Sequence, residues 1–129
     1  MSDSTDFSLL KLRSELLRNL TDLNYNEMTL VQAETLPLLI DGRDVLARAK
    51  TGSGKTAAFG LGLLNKLNVD LFKVQALVLC PTRELADQVA KEIRRLARRI
   101  PKSRYSAYAA ALHCETKQLL CSAVRISSL

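Results

Sequence analysis

The sequence predicts an α/β domain built on a parallel sheet, and three observations carry that prediction. Apolar side chains recur at helical spacing in several segments, two short apolar runs have the length of buried strands, and a glycine-rich loop joins the first of those runs to a helix. The resulting order is helix, helix, strand, loop, helix, strand, helix, the opening of an α/β domain.

Leu9, Leu10, Leu12, Leu16, Leu17 and Leu20 alternate with Lys11, Arg13, Glu15 and Arg18, which predicts an amphipathic helix over 8–20. Thr29 to Ile40 is the second predicted helix. Thr29 is suited to cap it, Pro37 to kink or shorten its last turn, and Asp41-Gly42 to turn the chain after it. Val45-Leu46-Ala47 reads as a short buried strand that runs into the glycine loop, and Thr56 to Leu67 as the helix beyond it. Gln75 to Cys80 reads as a strand buried on both faces, stopped by Pro81. After Thr82, a second candidate cap, Leu85, Val89, Ile93, Leu96 and Ile100 keep helical spacing, with Lys91, Arg94, Arg95, Arg98 and Arg99 on the other faces.

The 129 residues are 47% hydrophobic and 25% charged, which suits one domain with a modest core. The acidic, polar start Met1-Ser2-Asp3-Ser4-Thr5-Asp6 does not have the form of a secretion signal, so a cytoplasmic location is expected. The longest weakly polar stretch, Tyr105 to Leu112, is far short of the roughly 20 apolar residues of a membrane helix, and no membrane partner is expected. Cys80, Cys114 and Cys121 are an odd set with no close pair, as expected for reduced thiols; His113-Cys114 with Cys121 lacks a fourth metal ligand. The net charge of +6 is uneven: residues 1–90 carry 10 Lys/Arg against 11 Asp/Glu, and residues 91–129 carry 9 against 2. Such a basic region fits either a nucleic-acid partner or a solvated helix face, and the cluster from Lys91 to Arg104 reads equally well both ways.

The residues that carry chemistry begin with Ala49-Lys50-Thr51-Gly52-Ser53-Gly54-Lys55-Thr56. Gly52 and Gly54 let successive backbone N–H groups converge on anionic oxygens, Lys55 is placed to meet β- and γ-phosphates, and the Thr56 hydroxyl suits Mg²⁺. The positive end of the following helix adds to anion binding. The general pattern has glycine at its first position where this chain has Ala49, and the pattern by itself is shared with kinases, GTPases and transporters.

Two segments narrow the choice. The cradle with its initial Ala49 resembles the first motif of DEAD-box RNA helicases, and Pro81-Thr82-Arg83-Glu84-Leu85-Ala86 matches the next motif of that family throughout. Upstream, Phe7, Asn24-Tyr25 and Met28-Thr29-Leu30-Val31-Gln32 fall at the spacing of the family's adenine-reading segment, with Asn24 for its glycine and Met28 for its proline. Asn is the residue after glycine most at ease with positive φ. The resemblance implies an incomplete RecA-like P-loop NTPase domain with a parallel sheet, binding ATP and Mg²⁺. It also implies that Gln32 reads the adenine edge, that Tyr25 covers the base, and that Pro81, Thr82, Arg83 and Glu84 hold RNA phosphates. An amide both donates and accepts, which suits adenine, whereas by its own letters Gln32 is an ordinary solvated helix residue. A helix N-terminus and a guanidinium both favour phosphate without reading sequence. Within the family the segments from Ala49 to Leu64 and from Gln75 to Val89 look most similar to the bacterial DEAD-box protein A subgroup, which acts on large-subunit ribosomal RNA.

The resemblance covers about residues 7–100, so residues 1–100 are expected to be the N-terminal part of the first helicase domain and 101–129 an aberrant tail. Residues 63–129 contain no glycine, and no Gly-Gly, Thr-Pro-Gly-Arg or Asp-Glu-Ala-Asp occurs. A shifted reading frame from Lys102 with an early stop would account for this. Hydrolysis in this family needs an acidic Mg²⁺ ligand, a water-orienting residue and a transition-state arginine. The expected function is therefore that of a fragment of an ATP-dependent RNA helicase, with weak nucleotide binding and no catalysis alone. The competing readings are a non-catalytic nucleotide- or RNA-binding module, a non-functional product of a disrupted gene, and a different phosphate-loop enzyme such as a small kinase. No stable protein partner is expected.

Overall fold

The computed structural model describes residues 5–68, 70–71, 74–100, 106–112 and 121–127, the last two spans as backbone. Lys102, Arg104, His113 and Cys114, singled out above, lie outside the described residues. The chain divides into two compact units, Met1–Lys66 and Leu67–Leu129.

The first unit is helical. A 3-10 turn, Phe7–Leu9, precedes α1 (Ser14–Asp22), α2 (Leu30–Ile40) and α3 (Lys55–Lys66). The helix expected over 8–20 therefore starts late, for a tertiary reason. The Asp6 carboxylate accepts from the Ser8 N–H at 2.8 Å and caps the short turn, a bond that also holds its carboxyl below the usual range. Asn65 on α3 then takes the Arg13 N–H at 2.9 Å and donates to the Lys11 carbonyl at 3.0 Å. Backbone groups held this way are unavailable to a helix, so Leu10 to Arg13 stay irregular, with a tight turn that bonds the Leu12 N–H to the Leu10 carbonyl at 2.7 Å. Leu16 and Leu20 of α1 are buried, and the helix closes with Tyr25 N–H on the Leu20 carbonyl and Asn24 N–H on the Thr21 carbonyl. This pairing requires a left-handed residue after the helix, and Asn24 supplies it at φ +58°.

α2 opens with a full capping box. The Thr29 hydroxyl accepts from the Gln32 N–H and the Gln32 side chain accepts from the Thr29 N–H, satisfying two orphan donors. Pro37 lies inside α2, which continues for three residues and ends before Asp41 and Gly42, the latter at φ +83°. α2 packs on α3 across Gly62, where an added Cβ would lie 3.0 Å from that of Leu39. The strand expected at Val45-Leu46-Ala47 does not form: no described strand pairs with it and Leu46 is fully exposed. Three residues without a pairing neighbour hold no ladder.

In the second unit, β1 (Val74–Cys80), α4 (Arg83–Leu96), β2 (Ser106–Leu112) and β3 (Cys121–Ser127) form a sheet of order β1-β3-β2 with α4 against it. The pairing corrects the expected parallel sheet, because β3 runs antiparallel to both neighbours, with Val78 opposite Val124 and Ala109 opposite Val124 from the other side. The lengths of the connections explain it. Only residues 113–120 join β2 to β3, too few for the dozen or so of a parallel crossover. The long connection through α4 does leave β1 and β2 running in the same direction, with β3 between them. β1 is not buried on both faces, since Leu77 and Leu79 are 58% and 62% exposed. Ala86, Val89, Ala90, Ile93 and Leu96 form the buried stripe of α4. Burial pushes the Cys80 thiol above its ordinary pKa. Among the described residues no helix is long and apolar enough to cross a membrane.

Candidate functional site

The predicted cradle forms the turn at the N-terminus of α3, where the first-turn N–H groups have no intrahelical acceptor. Gly52 and Gly54 sit at φ +79° and +86°, a region that costs an L-residue about 1–2 kcal/mol. A Cβ on Gly52 would meet nothing within 4 Å, so that side of the loop is open. A Cβ on Gly54 would stand 2.4 Å from Gln32 Nε2, so the other side is closely backed. Lys55 turns its ammonium into the loop, donating to the Ala49 carbonyl and, at 2.8 Å, to the Lys50 carbonyl. The Lys50 carbonyl also accepts from the Ser53 N–H at 3.3 Å. Thr51 is exposed and Thr56 half-buried in the first turn of α3. Ser53 Oγ is buried and hydrogen-bonded to nothing among the described residues. Glycine freedom, an inward ammonium and a helix N-terminus together fit a phosphate chain. Beside the loop lies a cavity of about 380 Å³ lined by Val31, Leu39, Val45, Ala58 and Phe59, with Thr35 and Lys55 among its polar side chains. Its apolar walls do not suit phosphate, which leaves that role to the loop.

The upstream residues sit in the same unit. Phe7 is buried and meets the Tyr25 ring edge-on, with centroids 6.4 Å apart and planes at 76°. Gln32 is 1% exposed, unlike the solvated residue its letters suggest. Its amide oxygen accepts from the Thr29 N–H at 3.0 Å and its amide nitrogen donates to the Gly54 carbonyl at 3.2 Å. The Thr29 hydroxyl donates to the Ser53 carbonyl at 2.9 Å. The capping box of α2 thus grips the phosphate loop at two successive carbonyls. Thr29, a cap and a member of the adenine-reading segment by its letters, thus also holds the loop, and the Thr-x-x-Gln spacing of a capping box is the signal that points to it.

The predicted RNA-contacting residues lie in the second unit and are described there alone. Pro81, Thr82, Arg83 and Glu84 are all exposed at the start of α4. Thr82 caps the helix, its hydroxyl accepting from the Leu85 N–H at 3.2 Å. Arg83 and Glu84 occupy the first turn.

The sequence model of the DEAD/DEAH box helicase family matches residues 29–126, from the capping box through the phosphate loop and α4 to β3. The chain belongs to that family. Among curated relatives, this DEAD-box chain is 64% identical over 88 residues to the ATP-dependent RNA helicase DbpA of Escherichia coli, covering 68% of this chain and 19% of that protein. It is 56% identical over 87 residues to the ATP-dependent RNA helicase DeaD of Klebsiella pneumoniae, covering 67% and 14%. The chain therefore spans less than a fifth of the length of these relatives. A DEAD box protein crystal structure from Methanococcus jannaschii aligns at 36% identity and a TM-score of 0.68, covering 71% of this chain and 25% of that one. Saccharomyces cerevisiae Dbp5 bound to RNA and ADP BeF3 aligns at 32% identity and a TM-score of 0.73, covering 77% and 26%. The DEAD-box chain accordingly has the α/β, RecA-like fold of these neighbours, with an incomplete sheet.

Proposed function

We propose that this chain is the nucleotide-binding opening of an ATP-dependent RNA helicase and binds ATP with Mg²⁺, and RNA, without catalysing unwinding by itself. One observation carries the reading most directly: the Ala49 to Thr56 loop stands at the N-terminus of α3 with the Lys55 ammonium held among its carbonyls. Lys55 would exchange those carbonyls for β- and γ-phosphate oxygens, and the Thr56 hydroxyl would hold Mg²⁺. The amide of Gln32 would exchange its bonds to the Thr29 N–H and the Gly54 carbonyl for the adenine edge, and Tyr25 would cover the base, with Phe7 backing Tyr25. Pro81 to Glu84 would meet RNA phosphates through the helix N-terminus and the Arg83 guanidinium. ATP supplies a transferable phosphoryl group when bound, but the 129 residues include no Asp-Glu-Ala-Asp, so hydrolysis is not expected. By the resemblance of its motif segments to the bacterial DEAD-box protein A subgroup, the RNA of the parent protein would be large-subunit ribosomal RNA, and the setting would be cytoplasmic.

Titration of the chain with a fluorescent ADP analogue tests the cradle, with Lys55→Ala beside it and circular dichroism for both. Saturable binding lost in Lys55→Ala, at unchanged melting, is the expected result. Equal binding by both proteins would overturn the cradle assignment. Phosphate release at the level of buffer separates a binding module from an enzyme.

A further inference from the structure

We propose that the basic face on the C-terminal half of α4 is a second RNA-docking surface, one that takes the phosphodiester backbone without reading bases and without needing nucleotide. Lys91, Arg94, Arg95, Arg98 and Arg99 are all exposed, and Glu92, 3.4 Å from Arg95, is the one acidic residue in the stretch 91–100 of the sequence. Spacings of three and four residues put Lys91, Arg94 and Arg95 along one side of the helix, while Val89, Ala90, Ile93 and Leu96 fill the opposite, buried side. Glu84 and Asp87, the other acidic residues of α4, lie toward its start.

Complementing the helix dipole accounts for cations in the last turn only. Arg98 and Arg99 lie beyond Leu96, where the helix ends, yet they are held in place. Ala97 and Ile100 on either side of them are buried, and the turn is closed by the Ile100 N–H on the Ala97 carbonyl at 2.8 Å. The cations thus extend a surface fixed by packing, which lowers the ordering cost of docking.

The side-chain chemistry selects the partner. Four of the five cations are arginines, whose weakly hydrated, forked guanidinium matches phosphate oxygens. Residues 91–100 include no aromatic side chain to stack on a base and no Asn or Gln to read a base edge. A membrane surface would need an apolar rim beside the cations, and the apolar side of α4 is buried within its own unit. The face starts two helical turns beyond the motif, since Glu84 and Lys91 are about 10 Å apart along a helix rising about 1.5 Å per residue, and it shares no residue with Pro81 to Glu84. The inference rests on the proposed RNA reading for the class of polyanion only; the residues are different.

Fluorescence anisotropy of a labelled oligouridine with the full chain, without nucleotide, across about 50 to 200 mM salt tests it. Arg94→Glu/Arg98→Glu should weaken binding about tenfold and flatten the logarithmic salt slope by about 1.4, two phosphate contacts at roughly 0.7 each. Arg94→Gln/Arg98→Gln removes the charges without repulsion and should flatten the slope equally at unchanged helicity, which separates lost contacts from lost folding. Wild-type affinity and slope in either pair would overturn the proposal, as would failure of the wild-type chain to bind oligouridine. Binding lost in Arg83→Ala alone would leave the motif reading standing and remove this one. Equal binding of polyglutamate competitor would also overturn it, marking the face as a general polyanion surface.

Discussion

Gly54 joins the two halves of the candidate site: its carbonyl accepts from Gln32, while its φ of +86° and the 2.4 Å that a Cβ would leave to Gln32 Nε2 exclude a side chain. The Gln32 amide that a Cβ would strike is bonded to Thr29 and Gly54, so displacing it forfeits hydrogen bonds with no ligand to replace them. Gly54→Ala is expected to destabilise the first unit by about 2–3 kcal/mol, about 1–2 from left-handed backbone and about 1 from the lost hydrogen bond. It should also abolish binding of the ADP analogue. A urea melt and a titration check the two effects separately; normal binding at a normal midpoint would show that Gln32 does not set the loop.

At the scale of elements, the 3-10 turn, α1 and α3 depend on Asn65. It gives an irregular arm hydrogen bonds that the arm cannot make within itself, taking the Arg13 N–H and serving the Lys11 carbonyl. Asn65→Ala leaves both groups to water or unpaired, at a cost of about 1–2 kcal/mol in a partly buried setting. The expected signature is faster hydrogen exchange at the Arg13 amide with α2 unaffected. Unchanged exchange at Arg13 would mean that packing of Leu12, not Asn65, holds the arm. Elsewhere capping decides the ends: Thr29 and Thr82 start α2 and α4 because a hydroxyl satisfies an orphan N–H, and Asn24 ends α1 because Asn tolerates positive φ.

At the scale of the whole molecule, the second unit leaves an apolar surface in water. β1 is paired to β3 along one edge and to no described strand along the other, and Leu77 and Leu79 are more than half exposed. An aliphatic strand with an open edge recruits other chains. Sedimentation velocity is expected to show self-association that grows with concentration, and Leu77→Lys/Leu79→Lys to shift the chain toward monomer. An unchanged distribution in that variant would place the association elsewhere.

What is local in this chain is written in its letters. The letters located α2, α3 and β1 to within a residue and the start of α4, whose helical spacing runs on to Ile100 although the helix ends at Leu96; cap chemistry marked the starts of α2 and α4, and the glycine loop with Lys55 was legible because its function requires particular letters at fixed spacing. Asn24 in the glycine place likewise announced its own positive φ. What depends on partners distant in the chain was decided only by tertiary structure. The late start of α1 came from Asn65, 52 residues beyond Arg13. Burial of Gln32 came from its bond to Gly54, 22 residues away. Val45 to Ala47 has strand letters but no strand, and the sheet is antiparallel through β3, because a ladder exists only where a neighbour supplies its other half. A helix closes its hydrogen bonds within itself and is written in its own residues; strands and buried polar links are properties of pairs.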